Sequence, residues 1–398
     1  MPDGLRNAPI LPAERLRNIN PFRVMTVLER AKALESQGRS IVHLEVGEPD
    51  FVTAPPILEA GREALAQGRT AYTPAAGLPA LREAIAGHYQ SQYGLQVAPE
   101  RIFVTPGASG ALSLLAQMLL NPGDGVLLSD PGYPCNRNYV RLAGAQAQLL
   151  PVTAADNFQP HSALLSQHAT PETRGVWLAS PSNPTGTVLT LPQLQSIHDW
   201  CRAHGCHLLV DEIYHGLDYM EGLPTALQVS SDVLVVNSFS KYFGMTGWRL
   251  GWFVVPESLV PAANILAQNL FIAASTVAQY AALQAFTVQT REILETRRRE
   301  FAMRRDFLTA VLRELGFSIP VDTQGAFYIY AGIAAFSNDS EHFCKVLLED
   351  YGVAVTPGTD FGEFESACHV RFAFTTGMDQ LAIAADRLRV AVRSGAFA

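Results

Sequence analysis

Short apolar segments alternate with longer amphipathic segments between residues 102 and 255. The apolar segments have few polar positions, which is typical of strands buried on both faces of a parallel sheet. The amphipathic segments indicate helices that cover both faces. The predicted strands are 102–105, 126–129, 146–150, 176–180, 208–211, 233–237 and 250–255, and the predicted helices between them are 108–120, 135–142 and 191–204. The sequence therefore predicts an α/β fold, a three-layer αβα sandwich with a mostly parallel sheet.

The pattern changes after about residue 290, where a long charged helix is predicted over 290–315. Strands and helices then mix, at 326–330, 342–351, 353–355, 370–374 and from Met378 onward. Near the start, a helix is predicted around Val24 to Leu34 and a short strand over 41–46. We expect residues 1–45 to form an N-terminal arm and part of a smaller α+β domain, residues 46–290 a large domain, and residues 291–398 the rest of the small domain.

Composition narrows the classes of function. The 398 residues carry a formal net charge of −8, which argues against a nucleic-acid-binding surface. No basic start followed by an apolar run indicates a signal peptide. The most apolar long segment, 265–286, is interrupted by Gln268, Asn269, Gln279 and Gln284, so no membrane span is predicted. We expect a cytoplasmic protein with small-molecule substrates.

A cluster of two cysteines and two histidines near residue 204 invites a zinc interpretation. Cys201, His204, Cys206 and His207 do not have the spacing of a zinc knuckle. Cys201 ends a predicted helix, and Cys206 and His207 begin the next strand. We therefore predict no metal site.

Polar residues follow the strand predicted before Asn237. Ser238, Ser240 and Lys241 come at its C-terminal end, where open α/β sheets bind ligands, and Arg249 follows shortly after. A lysine near a second cation is suited to remain partly neutral and to form a Schiff base with a carbonyl. Two hydroxyls and an arginine are donors suited to a phosphate dianion. The alternative is a surface loop whose cations are solvated.

Three further strand ends carry polar or glycine-rich segments. Asp211 ends a predicted central strand, where a carboxylate needs a partner; alternatively it caps a following helix. Tyr214 is either a site residue or a core residue with a hydrogen-bonded hydroxyl. Gly107 to Gly110 joins a strand to a helix and would present N–H groups to a phosphate, although the G-x-G-x-x-G fingerprint is absent. The segment 180–186 is either a site loop or an ordinary one.

Together these motifs resemble a known family. The order S-P-S-N-P-T-G, D-E-I-Y and S-F-S-K-x-x-x-M-T-G-W-R-x-G is similar to that of the class I and II aminotransferases, which are fold-type I pyridoxal 5′-phosphate enzymes. The resemblance extends from H-L-E-V-G-E-P-D-F near residue 43 to P-G-T-D-F-G and H-V-R-F-A-F near the end. It covers nearly the whole chain and implies the fold of pyridoxal phosphate-dependent transferases.

The resemblance implies a role for each polar residue around the cofactor ring. Lys241 would hold the cofactor as a Schiff base and then carry a proton during catalysis. Asp211 would keep the pyridine nitrogen protonated. Asn183 and Tyr214 would hydrogen-bond the ring hydroxyl O3′, and Tyr133 would stack on the ring.

It also implies residues for the phosphate and the substrate. The phosphate would lie among Gly107, Ala108, Ser109, Ser238, Ser240 and Arg249. Tyr72 would reach the phosphate in a partner subunit, which implies a homodimer. Arg371 would bind the substrate α-carboxylate, with Gly47 and Asn183 beside it; the alternative for Arg371 is a surface charge on a strand. Cis peptide bonds are expected at Asn183–Pro184 and Asp130–Pro131.

The reaction implied is transfer of an amino group from an L-amino acid to a 2-oxo acid, 2-oxoglutarate above all, in ping-pong order. Ser109 stands where several aspartate-using relatives have a lysine, so neutral or aromatic donors are expected; the alternative is that arginines elsewhere, or from a partner subunit, bind an acidic donor. A C–S β-lyase of the same family is the alternative, because that reaction begins with the same proton removal. The fold also occurs in transcription regulators, but these carry a DNA-binding domain for which no room is predicted before Val42.

Overall fold

The structure is a computed structural model that describes residues 11–397. The helices are α1 Arg23–Ser36, α2 Pro55–Ala66, α3 Pro79–Tyr93, α4 Gly107–Leu119, α5 Pro134–Leu142, α6 Ser162–His168, α7 Leu191–Ala203, α8 Val260–Leu270, α9 Thr276–Ala282, α10 Val288–Glu314, α11 Ser340–Tyr351 and α12 Met378–Ser394. The strands are β1 Val42–His43, β2 Ile102–Thr105, β3 Gly125–Asp130, β4 Gln146–Pro151, β5 Thr173–Ala179, β6 His207–Asp211, β7 Leu234–Ser238, β8 Gly251–Val254, β9 Tyr328–Gly332, β10 Val353–Ala354, β11 Thr356–Pro357 and β12 His369–Ala373.

A seven-stranded sheet in the order β2-β8-β7-β6-β5-β3-β4 forms the centre of the larger part. All neighbouring strands are parallel except β8, which is antiparallel to both β2 and β7. Alternate strand residues enter two separate cores: Val176 and Leu178 pack into one, and Trp177 packs into the other. Helices cover both faces, so the predicted αβα sandwich with a mostly parallel sheet is confirmed.

The order of the strands creates the crevice in which a ligand is expected. Strands β5, β6 and β7 are parallel neighbours, so the residues that follow them meet at one edge of the sheet. Strand β3 also pairs with β5, and the chain runs outward from this pair in opposite directions. Such a reversal opens a crevice at the carboxyl ends of the strands. Tyr133, Asn183, Asp211 and Lys241 lie at the ends of these strands or in the loops that follow them.

A smaller antiparallel sheet, in the order β11-β12-β9, lies in the C-terminal part of the chain. It shares a core with β1 from the N-terminal segment and with α10 and α12, through residues such as Val42, Phe301 and Leu388. The N-terminal segment thus packs with the C-terminal part of the chain. The domain boundaries near residues 45 and 290 remain a prediction, and residues 1–10 and 398 lie outside the described part.

The predicted strand over 41–46 is shorter in the structure, because its main chain changes partners. Val42 and His43 pair with β10. After them, the carbonyl of Leu44 accepts a hydrogen bond from the Ala373 amide, and the carbonyl of Glu45 accepts one from the Arg371 side chain. These bonds turn the segment toward β12 and end the pairing of β1 with β10. They also bring the residues that follow Glu45 to the cavity described below.

The apolar segment over 265–286 is divided between two helices, α8 and α9, separated by residues 271–275. Among residues 11–397, no helix is long and apolar enough to cross a membrane. Both predicted cis peptide bonds are present, and Ser180–Pro181 is also cis.

The packing of α12 gives a test of the small core. Leu388 is fully buried and Val390, on the same helix, is 60 % exposed. We expect Leu388→Ala to lower the free energy of unfolding by about 2–5 kcal/mol, because it leaves a cavity, whereas Val390→Ala changes it by less than about 0.5 kcal/mol. Urea unfolding of both variants measures the difference, and equal effects would show that α12 does not pack in this orientation.

Candidate active site

A cavity of about 540 Å³ lies between the carboxyl edge of the large sheet and the small sheet. It brings together most of the residues predicted from the sequence. The predicted residues that line it are Gly47, Ala108, Ser109, Tyr133, Asn183, Asp211, Tyr214, Ser238, Ser240, Lys241, Arg249 and Arg371. Residues from loops some 320 positions apart in the chain therefore face one space, which the alternative interpretations as separate surface features do not explain.

Lys241 follows β7 and points into this cavity. Its Nζ donates a hydrogen bond to the Gly47 carbonyl at 2.7 Å and lies 5.8 Å from the centre of the Tyr214 ring. Removal from water, and then repulsion by the Arg371 guanidinium, lower the pKa of Lys241 to about 8. A solvated surface lysine would not show this shift. The amine therefore has a substantial neutral fraction near neutral pH.

Asp211 is the last residue of β6 and is buried. Its Oδ1 accepts a hydrogen bond from the Ile213 amide at 3.2 Å, and no helix begins after it, so it is not a helix cap. Burial raises the pKa of Asp211 to about 7. A carboxylate in this position is stabilised by a cation, and the cavity provides room for one on a ligand.

Arg371 is 2 % exposed, which excludes a surface charge. Its Nη1 donates to Asn183 Oδ1 at 2.9 Å, and its Nη2 donates to the Glu45 carbonyl and to Thr356 Oγ1. Within residues 11–397 it forms no ion pair, and its Nε has no hydrogen-bond partner. The guanidinium lies over the Tyr328 ring, 4.2 Å from its centre. A buried guanidinium without a carboxylate partner is suited to bind an anionic ligand.

A second anion site forms at the start of α4. Gly107 has φ +71°, and a Cβ there would lie 2.7 Å from Nη2 of Arg249. A Cβ at Gly251 would lie 2.8 Å from the Ala108 amide nitrogen. The two glycines thus allow the arginine and the neighbouring strand to approach the helix N-terminus. Ser109, Ser238 and Ser240 also line this end, so the donors present are those that a phosphate requires.

The predicted tyrosines occupy different environments. Tyr214 is buried, and its hydroxyl lies 2.9 Å from that of Tyr328, so it has the partner that a buried tyrosine needs. Tyr133 lines the cavity beside Phe22, with 6.1 Å between ring centres. Tyr72 does not line the cavity of this chain and is 82 % exposed.

Several lining residues were not predicted from the sequence. Tyr328 comes from β9, and Phe22, Val24 and Met25 come from the start of α1. The Asp360 carboxylate holds this segment by accepting hydrogen bonds from the amides of Arg23 and Val24, at 3.0 and 3.4 Å. No local pattern reveals such a contact, because the partners are more than 330 residues apart in the chain.

The cysteine and histidine cluster has other contacts. His207 accepts a hydrogen bond from the Trp177 indole at 2.9 Å, and His204 bonds the Trp200 carbonyl at 2.8 Å. Across residues 11–397 there is no group of three or more His, Cys, Asp or Glu side chains placed to hold a metal ion.

Comparison with known proteins agrees with this geometry. A model of the family described as "Aminotransferase class I and II" matches residues 39–388. The chain belongs to this family. It is 39 % identical over 359 residues to the valine–pyruvate aminotransferase of Mycobacterium tuberculosis, which covers 89 % of this chain and 92 % of that protein. It is 36 % identical over 378 residues to the aspartate/prephenate aminotransferase of Thermus thermophilus, covering 94 % and 97 % of the two chains.

Solved structures of aminotransferases have the same fold. The crystal structure of an aminotransferase from Mycobacterium tuberculosis superposes with a TM-score of 0.94 at 37 % identity, covering 97 % of this chain and 100 % of that one. The aspartate aminotransferase of Thermus thermophilus with maleate gives 0.91 at 35 % identity, covering 96 % and 100 %. The protein is thus an aminotransferase. Members of the class I and II family depend on pyridoxal 5′-phosphate, and this is the cofactor of the chain.

We expect Lys241 to be the residue that bonds the cofactor, and its lowered pKa then predicts the pH dependence of that step. Only the neutral amine attacks an aldehyde, so covalent capture of pyridoxal phosphate by the cofactor-free protein should rise with pH to a plateau, with a midpoint near the pKa of about 8. Visible absorbance after mixing at a series of pH values measures this rate. A midpoint near the 10.5 of an ordinary lysine would contradict the prediction, and Lys241→Ala is the control without capture.

Proposed function

We propose that this aminotransferase moves an amino group from an L-amino acid to a 2-oxo acid, with Lys241 as the residue that bonds the cofactor. The observation that carries the proposal is that Lys241, Asp211 and Arg371 face one cavity. They supply, in turn, a nucleophilic amine, a buried carboxylate and an unpaired buried guanidinium. A bound amino acid held at one end by Arg371 would lie with its Cα near Lys241.

The lining residues fit pyridoxal phosphate at each of its polar groups. When bound, this cofactor supplies a cationic ring that accepts electron density from the Cα of the amino acid. Asp211 would hold the proton on the ring nitrogen; burial raises the pKa of its carboxyl to about 7, so a cationic ring beside it would stabilise its ionised form. The N-terminus of α4, with Ser238, Ser240 and Arg249, would hold the phosphate. Asn183 and Tyr214 would bond the ring hydroxyl O3′, and Tyr133 would stack on the ring.

Lys241 would also carry the proton in catalysis. Its neutral Nζ, once free, would take the proton from the substrate Cα and later return a proton to complete the transfer, while the bound cofactor would supply the acceptor for the Cα electrons. The pKa of about 8 supports this role, because a base works best when its pKa is near the working pH. The hydrogen bond to the Gly47 carbonyl gives the amine a resting position at 2.7 Å.

Arg371 would bind the substrate α-carboxylate. Asn183 fixes one edge of its guanidinium, and the Glu45 carbonyl and Thr356 fix another, so the group is oriented before the substrate arrives. Arg371, Asn183 and Gly47 all line the cavity, so a carboxylate bound by this guanidinium would lie beside Asn183 and Gly47. The interaction is charge-assisted and takes place away from bulk water, where it is strongest.

The complete reaction proposed is two half-reactions in ping-pong order, with 2-oxoglutarate as the acceptor acid. A shared cavity supports the ping-pong order, because donor and acceptor would each bind Arg371 in turn. The alternative of a C–S β-lyase has no specific support in the site or in the relatives named above. Release of pyruvate and ammonia from a cysteine derivative, without any acceptor acid, would identify it.

The donor proposed is an amino acid with a neutral side chain. The cavity wall includes Val24, Met25, Leu112 and Ile213, and Ser109 provides no charge for a second carboxylate. The name of the mycobacterial relative, a valine–pyruvate aminotransferase, agrees with a neutral donor, whereas that of the Thermus relative does not. The apolar wall decides our preference, since its burial favours an apolar side chain.

We propose a homodimer as the working unit. Tyr72 has an exposed side chain on the segment before α3, and the Ala71 carbonyl beside it is bound by Thr276 at 2.7 Å, so the segment is anchored while the ring projects outward. In a dimer this ring would reach the phosphate in the partner subunit.

Substitution of the lysine tests the assignment directly. We expect Lys241→Ala to lower the transamination rate by about 10³-fold or more, because both the bond to the cofactor and the proton carrier are lost. Lys345→Ala, an exposed lysine on α11, should keep the parent rate. Rates are measured by 2-oxo acid formation, and circular dichroism verifies that both variants fold. Ordinary turnover by the Lys241 variant would refute the assignment.

A substrate panel tests the preferred donor. Valine, phenylalanine and aspartate are each supplied with 2-oxoglutarate or pyruvate, and kcat/KM is compared. We expect the neutral donors to exceed aspartate, and Ser109→Lys to shift the ratio toward aspartate by about tenfold, since a cation then faces its second carboxylate. Aspartate as the best donor of the parent enzyme would overturn this preference.

A further inference from the structure

A second cavity, of about 490 Å³, lies behind the catalytic lysine and shares no lining residue with the first. His215 and Tyr242 line it, and each directly follows in sequence a residue that lines the active-site cavity, Tyr214 or Lys241. Its volume is in the range of small-molecule sites. Nothing in the proposed transamination uses this space.

One wall of the second cavity is aromatic. The ring of His88 lies 5.4 Å from that of Phe286, 6.1 Å from that of Phe243 and 6.3 Å from that of Tyr93, measured between centres. Burial lowers the pKa of His88 to about 4, so this imidazole is neutral at pH 7. Its Nδ1 is buried without a hydrogen-bond partner among the described residues. The wall thus offers aromatic ring faces to a ligand.

The opposite wall is charged, and most of its charges are paired. Glu295 accepts a hydrogen bond from the Tyr242 hydroxyl at 2.7 Å and pairs with Arg298 at 2.8 Å. Arg298 also donates to the Asp218 carbonyl at 3.0 Å. These groups hold each other and do not need a ligand.

Apart from the exposed Glu221, Arg291 is the exception. It lines the cavity from α10 and is partly buried, but its side chain forms no ion pair or hydrogen bond within residues 11–397. Its charge adds to the effect of burial that lowers the pKa of His88, and it partly opposes the burial and the Glu295 charge that raise the pKa of Tyr242, so it lies near both walls. The cavity therefore combines one unpaired guanidinium with an aromatic wall.

The cavity also contacts the support of the active site. Gly216 has φ +90°, and a Cβ there would lie 2.4 Å from the Tyr242 ring, so this ring packs directly on the main chain after Tyr214. A ligand that moves Tyr242 therefore acts on the main chain of Lys241, one residue away. The Tyr93 hydroxyl bonds His215 at 2.7 Å, which extends the same support to α3.

We propose that this second cavity binds a small aromatic carboxylate, with the carboxylate on Arg291 and the ring against His88 and Phe286, and that occupancy is felt at Lys241 through Tyr242. A guanidinium binds a carboxylate through two parallel hydrogen bonds, and a ligand ring can pack edge to face against aromatic side chains. A phosphate is less well matched, because the second arginine of the cavity is already held by Glu295.

The test uses 3-phenylpropionate, which lacks the amino and 2-oxo groups needed for reaction, and the cofactor-loaded enzyme. Arg371→Leu removes the carboxylate site of the first cavity, so calorimetry on this variant reports the second cavity. We expect 3-phenylpropionate to bind the Arg371→Leu enzyme. Adding Arg291→Gln should weaken this binding about tenfold or more. Adding Arg299→Gln, which changes an exposed arginine of the same helix, should leave it unchanged. Binding that vanishes in Arg371→Leu, or that ignores Arg291→Gln, overturns the site.

Two further measurements complete the test. If Arg371→Leu does not fold, the same glutamine substitutions are made in the parent enzyme, where only Arg291→Gln should remove one of two binding events. At saturating 3-phenylpropionate, the visible absorbance of the Arg371→Leu enzyme should shift, because the cofactor is bonded to Lys241; an unchanged spectrum overturns the link through Tyr242. Calorimetry needs no turnover. Its result can therefore contradict the second binding site without contradicting the proposed transamination, and a failure of transamination leaves the binding result intact.

Discussion

The active site depends on keeping three ionisable groups away from bulk water in one cavity. Lys241, Asp211 and Arg371 would each be unfavourable there alone, because desolvation of a charge costs several kcal/mol without a partner. Because burial disfavours the charged forms, it lowers the pKa of Lys241 to about 8 and raises that of Asp211 to about 7. The same desolvation strengthens the attraction to a ligand with a cationic ring and an anionic end. The three ionisable groups whose burial lowers the stability of the fold are thus the groups suited to bind such a ligand.

The cavity also joins the two parts of the molecule. Arg371 belongs to the small sheet, yet it donates to Asn183 from a loop of the large sheet. The Gly47 carbonyl, which receives the Lys241 amine, lies on the segment that leaves the small core. The position of the Arg371 guanidinium therefore depends on the relative position of the two sheets.

Residues adjacent in the chain serve opposite sides of this structure. Asp211 lines the active-site cavity, while the carboxylate of Glu212 is fully satisfied by the Thr225 hydroxyl and the Ala226 amide. Likewise, Lys241 lines the active-site cavity, whereas Tyr242 lines the second cavity. A support built from immediate neighbours transmits small displacements efficiently, since one peptide unit connects the two sides. This is why a cavity behind the lysine bears on the chemistry in front of it.

The sequence by itself determined the sheet and the residues at its carboxyl edge, because apolar strands and their terminal polar residues are local patterns. Asp211 and Lys241 were predicted in this way, and the family resemblance added Arg371. Only the tertiary structure decided that Tyr328 and Phe22 line the cavity and that Arg291 lies free behind it. Those contacts join segments far apart in the chain, and their partners are chosen by packing, which no local pattern records.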